Sequence, residues 1–258
     1  MGRAGVTVAS PADAWRVAAL TMMSPAELHA LLSGDEAAAW VEAAAACGVA
    51  EAQVRLGRMK LEGRGVVQDA RAALACFLSA AESGDADGRN MLGRCYENGW
   101  GTAVDFSRAA LHYREAAEAG HAWGQYNLGH LLLDGNGVRQ DRDAAFLWYM
   151  RAATQNHERA MNLVARCFEE GWGVARDTKA ARNWYRQSAA GGYFRGAYNY
   201  ATILSAEGCT TGARRWFGQA LATAPEPTRS TVAAALRRHP DAQVRALAAQ
   251  HRCHPSED

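Results

Sequence analysis

The chain has 258 residues, 49% of them hydrophobic and 21% charged, with 28 basic against 27 acidic side chains and a formal charge of +1. These values suit a folded chain of one or two domains and exclude binding to nucleic acid or an anionic membrane driven by net charge. No uncharged apolar run approaches the roughly 20 residues of a membrane-spanning helix.

Residues 1–22 read as an N-terminal tail. Ser10, Pro11, Asp13 and Arg16 interrupt the stretch that a secretion signal would need continuously apolar. Ser24 and Pro25 open a predicted helix to Ser33, as cap and first-turn residue. From Asp35 a second helix carries Ala37, Trp40, Val41, Ala44 and Ala45 and ends near Gly48. The two form an atypical first unit.

A fixed period of 36 residues then governs the chain. Leu56, Leu92, Leu128 and Val164 form one column, and Gly57, Gly93, Gly129, Ala165 and Ala201 the next. Turn glycines recur at 63, 99, 135 and 171 and at 65, 101, 137 and 173, and aspartates at 69, 105, 141 and 177. Each unit reads as helix A, a glycine turn, an aspartate cap and helix B. On helix A a small residue (Ala52, Gly88, Gly124, Ala160 or Gly196) shares a face with the Leu-Gly pair. On helix B an alanine (Ala73, Ala109, Ala145, Ala181) precedes Phe77, Tyr113, Tyr149 or Tyr185 by four, and a second small pair follows. The regular units are 51–86, 87–122, 123–158 and 159–194. A fifth helix A runs from Arg195 to Glu207, after which Trp216 and Phe217 arrive four residues early, so the last turn is shortened. Beyond Leu221 the register is lost, and helices at Ser230–Arg238 and Asp241–His251 are expected to cap the open end within 222–258.

The string Leu-Gly, Gly-x-Gly-Val, Asp, Ala, Trp-Tyr, Ala-Ala, clearest from Leu128 to Ala153, resembles the Sel1-like branch of the tetratricopeptide family. The resemblance covers residues 35–221. It implies an all-α, right-handed α-solenoid of helix-turn-helix repeats with a helical C-terminal cap, the A helices lining a concave surface. It also implies an adaptor for protein partners, as in bacterial or eukaryotic assemblies; the expectation is a bacterial-type cytoplasmic adaptor, not an enzyme and without cofactor. One branch of the family is secreted, carries a disulfide in each hairpin and includes reported β-lactam hydrolases. No repeat here has a recurring cysteine pair, so that activity is not carried over. Some small bacterial relatives neighbour iron-uptake receptors and iron/2-oxoglutarate hydroxylases, which suggests a hydroxylase as one partner class.

If Leu56 and Gly57 face the core, Glu51, Val54, Arg58, Leu61 and their equivalents are expected to face the groove. The groove columns then contain Asn90, Tyr126, Asn162 and Tyr198; Arg94, His130 and Arg166 one turn on; and Trp123, Arg159 and Arg195 one turn before. Paired asparagine and arginine with aromatic neighbours suit an extended acidic peptide or a C-terminal carboxylate. The competing reading is mutual neutralisation by Glu62, Glu97, Glu169 and Glu170. The asparagines favour binding, because nothing in the repeat pattern asks for that residue within a helix.

Other chemistry finds less support. His112, His121 and His130 are expected on helix B, a turn and the groove, without convergence. His251, Cys253 and His254 lack a fourth metal partner. Cys95 and Cys167 share a repeat column, which indicates packing rather than a nucleophile. The six cysteines, with Cys47, Cys76 and Cys209 completing the set, show no disulfide framework and fit a reducing compartment. Gly63-x-Gly65 and its copies follow helices and read as turns, not phosphate loops. Trp100 and Trp172 are either buried between loops or form a second binding edge. The alternative functions are an enzyme or regulatory subunit with a small-molecule site in the same groove, and self-association through an open end.

Overall fold

A computed structural model gives the structure, which describes residues 37–250. The first expected helix, at 24–33, and the His251–His254 tail lie outside the described residues. Within them the chain forms thirteen helices and no strand. In order these are α1 (Ala37–Ala46), α2 (Ala50–Glu62), α3 (Ala70–Glu82), α4 (Ala86–Asn98), α5 (Phe106–Glu118), α6 (Ala122–Asp134) and α7 (Arg142–Thr154). They continue as α8 (Glu158–Glu170), α9 (Thr178–Ala190), α10 (Phe194–Ala206), α11 (Thr210–Thr223), α12 (Thr228–Leu236) and α13 (Ala242–Gln250).

Each of the four regular A-to-B turns is built from three hydrogen-bond devices. The first glycine adopts a left-handed conformation, as at Gly99 (φ 73°), and its N–H donates to the helix it ends, here to the Cys95 carbonyl. The aspartate N–H latches back onto helix A, Asp105 to the Tyr96 carbonyl at 2.8 Å and Asp177 to that of Phe168 at 2.9 Å. The aspartate carboxylate accepts from the first turn of helix B, at 2.9 Å from the Arg108 and Ala144 N–H groups. The second glycine has a further reason. At Gly173 (φ 68°) a Cβ would collide with the Arg142 carbonyl, so both backbone angle and backbone contact demand glycine.

The helices of a hairpin meet where an aromatic ring lies against a glycine. A Cβ on Gly93 would sit 2.5 Å from the Tyr113 ring, and one on Gly129 would sit 2.6 Å from that of Tyr149. Successive hairpins meet through the small columns, where a Cβ on Gly88 would sit 2.8 Å from that of Ala80.

The chain divides into two units, one holding residues up to Gly124 with Gly135–Arg139, the other Gln125–Asp134 with the residues from Gln140 on. In the first, Val54, Phe77, Met91, Leu92 and Cys95 share a core cluster. Val54 is 3% exposed and packs in this core, while its edge lines a shallow groove of the first unit together with Glu51 and Arg58, as the repeat pattern implies. In the second, Ala165, Tyr185, Tyr200, Ala201 and Phe217 form a core to which α12 and α13 add Ala233, Leu236, Val244 and Ala248. The Glu207–Cys209 turn before α11 is four residues shorter than the Gly63–Asp69 turn, as the early Trp216-Phe217 pair implies.

The buried tyrosines differ in one respect. Tyr113 donates to Glu97 at 2.5 Å and Tyr185 to Glu169 at 2.6 Å. The equivalent position for Tyr149 is Leu133, and the buried Tyr149 hydroxyl has no partner among the described residues. Tyr149→Phe is expected to leave stability unchanged or raise it by up to about 1 kcal/mol, whereas Tyr185→Phe should lower it by about 1 kcal/mol, as read by urea unfolding. Gly173→Ala should cost more than either, roughly 2 kcal/mol or above, because the loop backbone must move.

Candidate functional site

The second unit contains an open groove of about 470 Å³ lined by residues of α6, α8, α9, α10 and α12. Of the residues singled out from sequence, Tyr126, His130, Arg159, Asn162, Arg166, Arg195 and Tyr198 line it together. Asn90, Arg94 and Trp123 belong to the first unit and are not part of this groove. Glu169, named from sequence only as a counter-charge, also lines it, as do Leu163, Tyr185, Tyr193, Phe194, Asn199, Thr228 and Val232, which were not proposed for the groove. Tyr185 carries a packing signal that hides its hydroxyl, and Thr228 and Val232 lie where the repeat register is lost.

Helix geometry sets the groove's layers. Asn162 is only 4% exposed and forms the floor, its Oδ1 accepting from the Asn199 Nδ2 at 3.0 Å. Asn90 is 3% exposed. Both asparagines are thus integral to the packing, contrary to the reading that the repeat has no place for them. The arginine one turn later lies on the same helix face but is exposed.

The charge balance is set by what engages the carboxylates. Arg159, Arg166 and Arg195 face one lining acid, Glu169, which accepts from the Tyr185 hydroxyl. Arg166 lies 4.9 Å over the Trp172 ring and Arg195 lies 5.6 Å over that of Phe194. Neither guanidinium has an ion-pair partner among the described residues. Neutralisation by Glu169 and Glu170 is therefore not what the structure contains; Glu170 instead lies 4.0 Å from Arg176. Elsewhere an arginine is neutralised by an acid other than those expected: the Arg58 Nη2 donates to both carboxylate oxygens of Asp87, at 2.7 and 2.9 Å, while Glu62 pairs with Arg64. Trp100 and Trp172 are half-buried platforms, for Arg94 (4.9 Å) and Arg166 respectively.

An aromatic group closes one end of the groove. Tyr126 stacks on His157 at 4.9 Å and meets His130 edge-on at 4.6 Å. Burial pushes the Tyr126 hydroxyl up to about 12. Burial also lowers His130, with Arg166 and Arg195 acting in the same direction and Asp134 opposing, so the imidazole is neutral at pH 7. The cysteines do not contribute a nucleophile here: Cys167, on the same helix as Arg166, is buried and its thiol is pushed up to about 12. Nor do the histidines converge, since His112 lies on α5 and His121 just before α6.

His121 and His157 have a role that sequence reading missed. Each caps a helix, its Nδ1 accepting from the Gly124 or Ala160 N–H at 3.2 and 3.1 Å. Asp85 occupies the same repeat position and caps α4 in the same way. The signal was the column 85, 121, 157, whose members can all accept a hydrogen bond.

The chain matches the Sel1 repeat family profile at residues 50–85, 86–121, 124–157 and 158–193, which together span more than half its length. It belongs to the Sel1 repeat family. Among solved structures it is similar to a Sel1 repeat protein from Oxalobacter formigenes, at 26% identity over 87% of this chain and 85% of that one, TM-score 0.64. It also resembles a protective antigen of uropathogenic Escherichia coli with an SLR fold, at 26% identity over 84% of this chain, TM-score 0.65. The chain spans 49% of that antigen's length. An immunity protein of Pseudomonas aeruginosa shares the fold at 16% identity, over 78% of this chain and 74% of that one, TM-score 0.54. No curated protein matches this Sel1 repeat chain. Sel1 repeat proteins are in general scaffolds for protein–protein interaction, and they are typically not enzymes. No described helix is long and apolar enough to cross a membrane.

The histidines make stability depend on pH. Burial lowers His121 more than Asp87, 3.7 Å away, and Asp85 raise it, and His130 is lowered as well. The unfolded chain binds these protons at higher pH than the folded one, so protonation favours unfolding. Their contribution is complete above the unfolded value of about 6.5 and is lost as pH falls through the folded values. The melting temperature is expected to fall between pH 7 and 5. His121→Asn, which keeps a capping acceptor without titrating, should flatten that fall; a melting temperature that rises on acidification would contradict the assignment.

Proposed function

We propose that this Sel1 repeat chain is a bacterial cytoplasmic adaptor that holds an acidic segment of a partner polypeptide in the groove of its second unit. The observation that carries this reading is the pair Arg166 and Arg195, two exposed guanidiniums in one groove without a carboxylate partner among the described residues. Arginine offers a planar fork that matches carboxylates, and platforms such as Trp172 and Phe194 limit the rotamer freedom lost on binding. Tyr126, Tyr193 and Tyr198 add aromatic area of the kind that anchors interfaces. An extended chain or a terminal carboxylate fits an open groove of this size better than a compact domain does. The free thiols of Cys47 and Cys209, both exposed, are consistent with a reducing compartment. No observation favours a catalytic reading of the groove over this one.

Selection of peptides from an unbiased display library is expected to enrich aspartate and glutamate. A selected peptide titrated against Arg166→Gln/Arg195→Gln should bind at least about tenfold more weakly than to the wild type, since hydrogen bonds to charged groups contribute roughly 1.5–3 kcal/mol. Its affinity should also fall as salt rises. Enrichment of basic or purely apolar peptides, or equal affinity for both proteins, would overturn the proposal.

A further inference from the structure

The segment Asn90–Gly101 recurs at Asn162–Gly173, two repeats on. Asparagine, arginine, cysteine, glutamate and tryptophan return at 90/162, 94/166, 95/167, 97/169 and 100/172. The intervening repeat has Tyr126, His130, Leu131, Leu133 and Asn136 at these positions and still folds as a helix hairpin. The hairpin therefore does not require this set of five.

The geometry repeats with the sequence. Each asparagine is buried, each glutamate accepts from the tyrosine of the following helix, and each arginine is exposed, 4.9 Å over its tryptophan. In both copies the acid three residues after the arginine is engaged by a hydroxyl, and no ion pair to the arginine forms among the described residues. Arg94 makes one weak contact within its own helix, to the Met91 sulfur at 3.7 Å. Its guanidinium otherwise lies over the Trp100 ring without a carboxylate, as that of Arg166 lies over Trp172. One copy lies in each unit of the chain, and each is complete within its unit.

We infer that the chain has two carboxylate-binding cassettes of the same construction but unequal strength, centred on Arg94 and Arg166, and that its partner is a polypeptide engaging both with two acidic segments. This rests on the groove of the second unit being an acidic-peptide site and adds a second site and a bivalent partner to it. A tethered second segment binds at the effective concentration set by its linker, so two modest contacts give one tight complex. The cassette in the first unit is the weaker, because no counterpart of Arg195 lies beside it: the position one repeat before Arg159 is Trp123, and the one before that is Asp87.

The test uses the full chain and two kinds of synthetic peptide: a single-headed Glu-Asp-rich peptide, and two-headed peptides joining two copies through Gly-Ser linkers of graded length. Calorimetry is expected to give two single-headed peptides per wild-type chain and one per chain for Arg94→Gln or Arg166→Gln. The best two-headed peptide should bind at least about a hundredfold more tightly than the single-headed one. Either substitution should abolish that gain, and Arg94→Lys, which keeps the charge but not the fork, should reduce it. Circular dichroism checks that the variants remain folded, as expected for exposed positions. One peptide per wild-type chain with Arg94→Gln indistinguishable from wild type, or no gain at any linker length, overturns the inference while leaving the groove of the second unit standing. Absence of binding by either peptide sinks the groove reading itself.

Discussion

The contact on which the rest of the structure depends is an aromatic ring of one helix seated on a residue with little or no side chain in its hairpin partner. Phe77 lies on Gly57, Tyr113 on Gly93 and Tyr149 on Gly129, and a Cβ at any of these glycines would overlap the ring. Farther on, Ala165 and Ala201 share one core with Tyr185 and Phe217, so the contact tolerates a methyl where the ring is placed to receive it. Glycine inside a helix costs roughly 1 kcal/mol relative to alanine. Burial of a whole aromatic side chain more than offsets that, contributing a few kcal/mol. Once the rings fix how each hairpin closes, the neighbouring helices decide what is covered on the remaining face of helix A: Asn162 is buried and Arg166, one turn on along that face, is exposed.

Much of this was legible in the letters because it is local or periodic. The glycine turns, the aspartate caps and the small-large alternation depend on spacing within one unit, and repetition exposes them as columns. The shortened last turn was legible for the same reason. What was hidden depends on contacts between helices. The Glu97–Tyr113 and Glu169–Tyr185 hydrogen bonds join residues sixteen apart, and without them the glutamates read as counter-charges for the arginines. The burial of Asn90 and Asn162 was missed because residues at a helix-to-helix boundary look like surface residues when one helix is considered alone. Of the ten residues proposed for a groove, seven meet in one; a repeat pattern identifies equivalent positions but does not state which of them share a surface.

The charge on the chain is nearly balanced overall, so recognition by net field is absent and local arrangement decides what binds. The same residue type is quenched at Arg58, which pairs with Asp87, and available at Arg166, in a groove whose one lining acid, Glu169, accepts from a tyrosine. A hydroxyl that diverts a carboxylate from an arginine is thus part of the binding surface although it touches no ligand. Membership of a family of interaction scaffolds agrees with such a surface.

The most direct test of the central claim is the arginine side-chain Nε–Hε spectrum of the chain, recorded as a Glu-Asp-rich peptide is added. The account predicts shifts for Arg166 and Arg195, and for Arg94 where the second cassette is filled, with Arg58, already bonded to Asp87, unchanged. Shifts spread evenly over all exposed arginines, or an unperturbed Arg166 in the presence of bound peptide, would contradict it.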